Sequence, residues 1–437
     1  MCLIELVSTN PCFSFIISKN PSSGMIIRPI RQGVAYGYYA NQRYDNKRDD
    51  SDRYIIYFRD RIDSCSYKET AEQEFDYLNK LRYTSPIFVL NAIGEFLNNC
   101  LKKQQPQDIE NISGEIHYQQ TFRMAAVQID NHAFKMITNI HKFFDDVIIT
   151  LKEIATETYN VEITTKKTLY YLLNFVFLYF GLISFVNNND LYNTENLIEK
   201  VIASANSIEV KYYLRYLISS KLLTNKSLFE KLKHSLETPS IQLNYGNTAL
   251  QRLNYIKNSL TFKNSIIDIG CGEGYYAIPF ARNLKKHGLK YYAIDTDDKE
   301  LEKVRKKSIK YDLGIITLNS HEKLLDHMTD ECYDVIITEV VEHMEKEVSR
   351  ELIRWIIQNV DYHQVIITTP NSEFNINYSN SQSLRHPDHK WELTREEFKD
   401  YIHEIINEIT KEECQFIDIG DAVDGIHLTQ GCIIKKL

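Results

Sequence analysis

Apolar and polar positions follow different patterns along the chain. Up to about residue 130, short β-rich runs such as CFSFIIS and RYIIYFRD alternate with turn residues, and helical spacing follows from Thr84 through Leu101. From Phe134 to Leu236, apolar residues recur every three or four positions with almost no glycine or proline. Such runs are typical of strands and of amphipathic helices, respectively. The pattern predicts a small α+β domain over residues 1–130 and a helical domain or connector over residues 131–240.

The pattern changes again after the segment Glu237 to Asn247, which has turn residues and no period. From there on, the β-branched runs SIIDIG, KYYAID, YDVIITEV and QVIITTP alternate with helical segments. This alternation is typical of a parallel, doubly wound α/β sheet. We therefore predict a Rossmann-like domain over residues 250–437, with ligands bound at the carboxyl ends of its strands.

One apolar segment raises the question of a membrane. Leu169 to Val186 carries no charge and approaches the length that spans a bilayer. However, it contains Asn174, Gly181, Ser184 and three tyrosines, and a single span in mid-chain would place the two halves on opposite sides of the membrane. We predict a buried core helix and no membrane association.

Composition and charge narrow the location and the kind of partner. The 437 residues include eight scattered cysteines without a CxxC pair, and the first residues lack the basic start of a secretory signal, so we expect a cytoplasmic protein with reduced thiols. Residues 251–437 carry 24 Lys and Arg against 32 Asp and Glu, and the preceding residues balance at 27 against 27. Without a basic half, any contact with nucleic acid would be local.

The motif IIDIGCGEG, at Ile266 to Gly274, ends a predicted strand and opens a helix. Its three glycines allow the backbone to turn tightly and to approach a ligand closely: Gly270, Gly272 and Gly274. A dinucleotide-binding loop would have its third glycine at position 275, which is Tyr. The DxGxGxG form, which begins at Asp268, resembles the S-adenosylmethionine loop of class I methyltransferases, where the acidic residue lies near the methionine end of the cofactor.

Asp295 closes the next predicted strand, KYYAID. A carboxylate in this position is placed to accept hydrogen bonds from both ribose hydroxyls of an adenosine. The alternative is that Asp295 only caps the following helix. Because it follows the glycine motif at the usual distance, we interpret it as a second cofactor-binding residue.

The motif EVVEHM, Glu339 to Met344, directly follows the predicted strand YDVIIT. Spacings of three and four predict that Glu339, Glu342 and His343 lie on one side of a helical turn. Two carboxylates and an imidazole suit Mg²⁺ or Mn²⁺. The alternative is an ordinary helix start, where acidic residues are favoured by the helix dipole.

Two further motifs follow. TTPNSEFN comes after the strand QVIIT, so it lies at the same edge of the predicted sheet, and Pro370 is expected to end that strand. RHPDHKWELTREEF contains His386 and His389 beside Asp388, and Thr394 is placed to start a capping box. Two histidines close to a predicted metal-binding set are candidates for a ligand or a proton acceptor.

Together these motifs resemble the small-RNA 3′-terminal ribose 2′-O-methyltransferases of the HUA-ENHANCER family. The order ExxEH, TPNxEFN and DHxxExTRxEF after DxGxGxG carries the resemblance. It implies S-adenosylmethionine as cofactor and four metal ligands at Glu339, Glu342, His343 and His389. The family usually has DHxFEWTR where this chain has DHKWELTR, so Trp391 and Leu393 put the packing around the terminal nucleotide in question.

The first half resembles bacterial members of the same family, through KNPSSGMIIRPIRQGVAYGYY, YIIYFRD and EFDYLNKLRYTSPIFVLNAIGEFL. In those members the methyltransferase is associated with an RNA-repair polynucleotide kinase-phosphatase and ligase, and the N-terminal half contributes to activating the ligase. The resemblance implies the same partners for this chain.

These observations give the hypothesis of metal-dependent methyl transfer to the 2′-hydroxyl at an RNA 3′ end, in RNA repair or 3′-end protection. A ribose hydroxyl is a poor nucleophile, a divalent cation stabilises its alkoxide, and His343, His386 or His389 would take the proton. Two alternatives stay open. The acidic second half favours a metal-dependent small-molecule O-methyltransferase of the catechol type, and the first half leaves room for a scaffold or ligase activator.

Overall fold

The structure is a computed structural model. It describes residues 2–30, 33–40, 51–60, 84–109, 118–187, 195–329, 332–378, 384–407 and 413–436. The segments that carry the N-terminal resemblance are therefore described except at residues 31–32 and 74–83. The chain divides into two compact units, residues 1–236 and 237–437.

The first unit is built on a seven-stranded antiparallel sheet with the order β2-β3-β4-β1-β5-β7-β6. The strands are β1 (Cys2–Ser8), β2 (Ile26–Ile30), β3 (Gly33–Tyr39), β4 (Asp52–Asp60), β5 (Gln120–Gln128), β6 (Val147–Ala155) and β7 (Thr158–Thr165). Alternate residues of its central strands are buried, for example Ile4 and Leu6 in β1. One face of this sheet therefore forms part of the core.

The first unit contains several short helices and one long apolar helix. They are α1 (Phe13–Ile16), α2 (Ile87–Asn91, continued by a π turn at Ala92–Phe96), α3 (Asn98–Lys102), α4 (Pro106–Ile109), α5 (Asn131–Ile140), α6 (Leu169–Val186), α7 (Glu195–Ser207), α8 (Tyr212–Leu222) and α9 (Lys226–Leu236). Helix α6 packs on β5 and β7, and 83% of its residues are buried, as expected of a core helix. Among the described residues it alone is long and apolar enough to cross a bilayer.

Residues 131–240 do not form the separate helical domain that the sequence predicted. Strands β6 and β7 lie inside this range and pair with β5, so they extend the sheet of the preceding residues. Strand β7 alternates between polar and apolar residues, which is the signal for a half-buried strand, whereas β6 begins with the apolar run Val147 to Ile149. The helical spacing on either side of them hid this short signal.

The second unit contains an eight-stranded mixed sheet with the order β11-β10-β9-β12-β13-β15-β14-β8. The strands are β8 (Ile241–Gln242), β9 (Ser265–Ile269), β10 (Tyr291–Ile294), β11 (Ile316–Leu318), β12 (Tyr333–Thr338), β13 (Tyr362–Pro370), β14 (Glu413–Val423) and β15 (Ile426–Lys435). The five strands from β11 to β13 are parallel. The last three strands pair antiparallel, and β14 and β15 form a hairpin with a tight turn at Asp424 and Gly425.

Five helices cover this sheet: α10 (Thr248–Ser259), α11 (Ala277–Lys285), α12 (Asp298–Lys310), α13 (Lys346–Asn359) and α14 (Arg395–Asn407). Neighbouring residues of β9 belong to different cores, since Ile266 packs with α10, α11 and α12, whereas Ile267 packs with α13 and α14. The sheet is therefore covered on both faces, which confirms the predicted doubly wound α/β fold. The carboxyl ends of β9, β10, β12 and β13 lie along one edge.

Candidate functional site

The glycine motif forms a tight loop after β9. Gly270, Gly272 and Gly274 all have positive φ, at 71°, 49° and 80°, a conformation that strains other residues. A Cβ atom on Gly270 would lie 2.4 Å from the side chain of Val340, whereas a Cβ on Gly272 would meet nothing within 4 Å. Gly272 therefore borders open space, as expected of a backbone that a ligand approaches closely.

Asp295 holds this loop in place. Its Oδ2 accepts a hydrogen bond from the N–H of Gly272 at 2.8 Å, and its Oδ1 accepts one from the N–H of Asp297 at 2.9 Å. The cap of α12 is Asp297, whose own Oδ1 accepts from the N–H of Lys299. Asp295 is therefore not the helix cap that the alternative interpretation required, and its carboxylate lies at the edge of the sheet beside the glycine loop.

Asp268 is fully buried in β9. The Tyr291 hydroxyl donates to its Oδ2 at 2.6 Å, while its Oδ1 has no hydrogen-bond partner among the described residues. Burial raises the pKa of this carboxyl to about 7. Since buried polar atoms are nearly always paired, the unpaired Oδ1 fits a donor group of a ligand.

Glu339 does not lie on a helical turn with Glu342 and His343, so that prediction was wrong. The residue has φ 55°, and its N–H donates to the Thr368 carbonyl at 2.9 Å, which continues the pairing of β12 with β13 beyond the strand. A 3₁₀ turn begins only at Val341. The Glu339 carboxylate forms an ion pair with Arg252 of α10 at 3.3 Å and accepts a bond from the Thr368 hydroxyl.

Three of the four predicted metal ligands do come together. One donor atom each of Glu342, His343 and His389 lies within 4.8 Å of the other two. The backbone holds this arrangement, because the N–H of Lys390 donates to the Glu342 carbonyl at 2.8 Å and so fixes the histidine loop to the 3₁₀ turn.

Glu342 is completely buried. The Thr369 hydroxyl donates to its Oε2 at 3.1 Å, but its Oε1 is buried without a hydrogen-bond partner in the described part of the chain. Burial, and next the nearby charge of Glu339, raise the pKa of Glu342 well above its ordinary value. A cation beside this carboxylate would relieve both effects.

Three histidine rings lie close to one another, and two of them, those of His343 and His389, lie beside Glu342. The His389 ring lies 4.7 Å from that of His343, and the exposed His386 ring lies 5.6 Å from His389 and 6.3 Å from His343. Burial, followed by the charge of His389, lowers the pKa of His343, which favours the neutral imidazole that binds metals. These donor atoms thus fit a divalent cation, and the assignment of the metal ligands stays a prediction. To become a fourth ligand, the Glu339 carboxylate would have to leave its ion pair with Arg252.

In the motif RHPDHKWELTREEF, the apolar residues that follow the two histidines pack into the core. Trp391 and Leu393, where the chain departs from the family pattern, are both buried, and the Trp391 indole donates to the Met344 carbonyl at 2.8 Å. These two residues therefore belong to the core that supports the loop. The predicted capping box is present, since Thr394 and Glu397 exchange hydrogen bonds at the start of α14.

Sequence reasoning missed several residues of this site. Arg252 lies in a segment that carried no motif, and only the tertiary fold brings it to Glu339. Glu392, which contacts the His389 ring, lies inside a quoted motif but had no assigned role. Its acidic type next to a candidate ligand was the signal that could have identified it.

A model of the Hen1 N-terminal domain matches residues 3–240, which is more than half of the chain. The chain belongs to the Hen1 family. A methyltransferase-domain model matches residues 266–361, the strands and helices that carry the glycine loop and Glu339 to His343. These matches confirm the family resemblance and the methyltransferase fold that the sequence predicted. S-adenosylmethionine, the predicted cofactor, is the methyl donor expected of such a domain.

The relatives of this Hen1-family chain include two small RNA 2′-O-methyltransferases. The Xenopus tropicalis protein is 39% identical over 67 residues, 15% of this chain and 18% of that protein. The Caenorhabditis elegans protein is 26% identical over 180 residues, 36% of this chain and 41% of that protein. The chain therefore spans less than half the length of either relative.

A solved structure is similar along the chain. In the Pnkp1/Rnl/Hen1 RNA repair complex, one chain matches with a TM-score of 0.78 and 22% identity, covering 99% of this chain and 100% of that one. At this level of identity the likeness shows a shared fold.

Proposed function

We propose that this chain transfers a methyl group from S-adenosylmethionine to the 2′-hydroxyl of the 3′-terminal ribose of RNA, using Mg²⁺ or Mn²⁺. The observation that carries the proposal is the cluster of Glu342, His343 and His389, whose donor atoms lie within 4.8 Å of one another. It stands at the same sheet edge as the glycine loop, in a chain of the Hen1 family. The activity that the two curated relatives are named for supports this choice of substrate.

The cofactor would bind against the glycine loop. Gly272 offers a backbone that a ligand can approach, and the Asp295 carboxylate beside it is suited to accept the ribose hydroxyls. Asp268, with one unpaired oxygen, suits the positively charged amino group at the methionine end. These residues bind and orient the cofactor.

The metal would be held by Glu342, His343 and His389, with Glu339 as a fourth ligand once its carboxylate leaves Arg252. A bound divalent cation supplies stabilisation of the negative charge that develops on the ribose oxygen. Two adjacent hydroxyls suit a single cation site, so we expect activity only on RNA ends that carry both.

The proton of the 2′-hydroxyl needs an acceptor in the same place. His386 is exposed, borders the cluster and stands outside its set of donor atoms, so it is our candidate. His343 and His389 remain the other two candidates if they do not bind the metal. General-base help of this kind contributes about 10²–10⁴-fold to a rate.

The test supplies the full chain with labelled S-adenosylmethionine, Mn²⁺ or Mg²⁺, and four acceptors. They are an RNA with a free 3′ end, the same RNA ending in 2′-deoxyribose, the same RNA ending in a 3′-phosphate, and a catechol. Label should enter only the first. Equal labelling of all three RNAs, or of none, would remove the terminal-ribose proposal, and labelling of catechol alone would replace it with the small-molecule reaction.

We further propose that the first unit joins a polynucleotide kinase-phosphatase and ligase in RNA repair. The similarity along 99% of the chain to a chain of an RNA repair complex favours this second function. In the test, the kinase-phosphatase and ligase from the same cell seal nicked RNA with and without the full chain, and with its His389→Ala variant. Equal activation by both forms is expected; activation by neither would contradict the role.

We also propose that the protein works in the cytosol. The cysteines at positions 12, 100, 271, 332, 414 and 432 are free thiols, which suits a reducing compartment. Cell fractionation with an antibody against the chain tests this location, and recovery in an exported fraction would contradict it.

A further inference from the structure

We propose that Glu392 positions His389 for metal binding by fixing which ring nitrogen carries the proton. The inference deepens the proposed function and rests on its metal site. Glu392 stands between the buried Trp391 and Leu393, and its side chain has no exposed surface. Its Oε1 contacts Nδ1 of His389 and accepts the backbone N–H of Arg385 at 2.8 Å, and its Oε2 contacts the Asn375 amide nitrogen.

This contact decides the tautomer of His389. An ionised carboxylate can only accept hydrogen bonds, so the ring proton of a neutral His389 must lie on Nδ1. Nε2 then keeps its lone pair and is the nitrogen available to a cation held together with Glu342 and His343. Carboxylates that hold a metal-binding histidine in this way orient the ring and strengthen it as a ligand.

Glu392 itself is held by a rigid frame. Oδ1 of Asn375 accepts from the Arg385 guanidinium, through Nε at 3.1 Å and Nη2 at 2.9 Å, and this turns the amide N–H₂ of Asn375 towards Glu392. The same guanidinium donates to the carbonyls of Leu428 at 3.1 Å and Asn371 at 3.0 Å. These carbonyls lie in β15 and directly after β13, so the sheet fixes the carboxylate.

The hydrogen bonds at position 392 require a carboxylate, and a side chain of the same shape would not replace it. Both oxygens of Glu392 face donors, so both must accept. Glutamine has nearly the same shape but only one accepting oxygen, and its N–H₂ would face either Asn375 or His389. Either orientation sets the N–H₂ against another donor and removes the negative charge that holds the Nδ1 proton of His389, while the packing stays almost unchanged.

The experiment measures Mn²⁺ binding to the full-length protein without RNA, by the electron paramagnetic resonance signal of free Mn²⁺. We expect Glu392→Gln to weaken Mn²⁺ binding by about 10- to 100-fold. Binding of S-adenosylmethionine and the unfolding temperature of the metal-free protein should stay close to those of the unsubstituted protein. The matched control is Glu396→Gln, which changes an exposed glutamate of the same segment that pairs with Lys399, and it should leave Mn²⁺ binding unchanged.

Equal Mn²⁺ affinity in Glu392→Gln and the unsubstituted protein would overturn the inference while leaving the proposed function standing. An unsubstituted protein that bound no Mn²⁺ would remove both. Should Glu392→Gln fail to fold, ¹⁵N NMR of the histidines in the metal-free, unsubstituted protein decides the matter. A proton on Nδ1 of His389 is expected, and a proton on Nε2 would overturn the inference.

Discussion

The two halves of the site in the second unit are built in opposite ways. Beside β9 and β10, the Asp295 carboxylate has a donor on each oxygen, and the shape of the loop comes from glycine backbone. Beside β12 and β13, Glu342 keeps a buried oxygen without a partner in the described residues, and it lies close to the charge of Glu339. We call the first the cofactor half and the second, where we propose that the cation binds, the metal half. The hydrogen-bonding groups of the cofactor half are nearly all paired, whereas the metal half brings a buried carboxylate close to a second carboxylate.

This difference suggests that the two halves depend on different properties of the chain. The cofactor half should keep its shape when a charge is removed, and it should lose that shape when its backbone is altered. The metal half should tolerate changes that keep its shape, as far as folding is concerned, and fail when its charge is altered. Each half can therefore be damaged separately.

The largest effect is expected from removing the charge of Glu342. Glu342→Gln keeps the shape of a fully buried side chain, so the protein should fold, but we expect methyl transfer to RNA to fall by at least about 100-fold because the cation loses its buried carboxylate. The measurement is the rate with Mn²⁺ at saturating S-adenosylmethionine. Glu345→Gln, at an exposed residue three positions later, is the matched control and should retain the rate. A Glu342→Gln enzyme with the normal rate would end the distinction between the halves.

The next effect concerns the one unsatisfied group of the cofactor half. Burial raises the folded-state pKa of Asp268 from 3.8 to about 7, so the stability from its neutral form is complete below pH 3.8 and is lost as the pH rises through 7. Asn cannot ionise. From pH 5.5 to 8.5, the free energy of unfolding of Asp268→Asn should therefore gain about 2 kcal/mol relative to the unsubstituted protein.

Denaturant unfolding at the two pH values, without cofactor, measures this change. Asp326→Asn, which makes the same change at an exposed aspartate, is the control for the substitution itself. If the difference in the free energy of unfolding between Asp268→Asn and the unsubstituted protein were the same at both pH values, Asp268 would be charged in the folded protein at both.

A third test separates the glycine backbone from the cofactor. Gly272 and Gly288 both have positive φ, at 49° and 71°, and a Cβ on either would meet nothing within 4 Å. Each replacement by Ala should reduce the free energy of unfolding by about 1–2 kcal/mol, because an L-residue is strained in this conformation. Only Gly272→Ala should also weaken binding of S-adenosylmethionine, by about 10-fold, since its methyl group would enter the open space at the glycine loop where the cofactor is proposed to bind.

Calorimetric titration of both variants gives these affinities. Equal cofactor binding by Gly272→Ala and Gly288→Ala would mean that the loop shape is not what holds the cofactor. Mn²⁺ binding should be unchanged in both, which keeps this test within the cofactor half.

The parts of the site that could be predicted from sequence are those determined by local pattern. The glycine loop, Asp295 and the Thr394 cap follow from short spacings, and Glu342 with His343 follows directly from the end of a strand. Glu339 was placed wrongly because its backbone is set by the Thr368 carbonyl of the neighbouring strand. Strands β6 and β7 were missed for a related reason, since pairing with β5 depends on residues distant in the chain.

The last test replaces Arg252, and we expect it to change Mn²⁺ affinity less than the other tests change their measured quantities. Its guanidinium lies 3.3 Å from Glu339 and partly offsets the charge around Glu342, so it competes with a cation for the same carboxylates. Arg252→Met keeps much of the side-chain volume and removes the charge. We expect Mn²⁺ to bind about 5-fold more tightly, equivalent to about 1 kcal/mol of charge interaction in a partly buried setting. Arg354→Met, which removes an arginine that pairs with Glu347 on α13, is the control and should not change Mn²⁺ affinity. Weaker Mn²⁺ binding by Arg252→Met would instead mean that Arg252 positions the Glu339 carboxylate for the metal. The ion pair would then persist in the metal-bound protein.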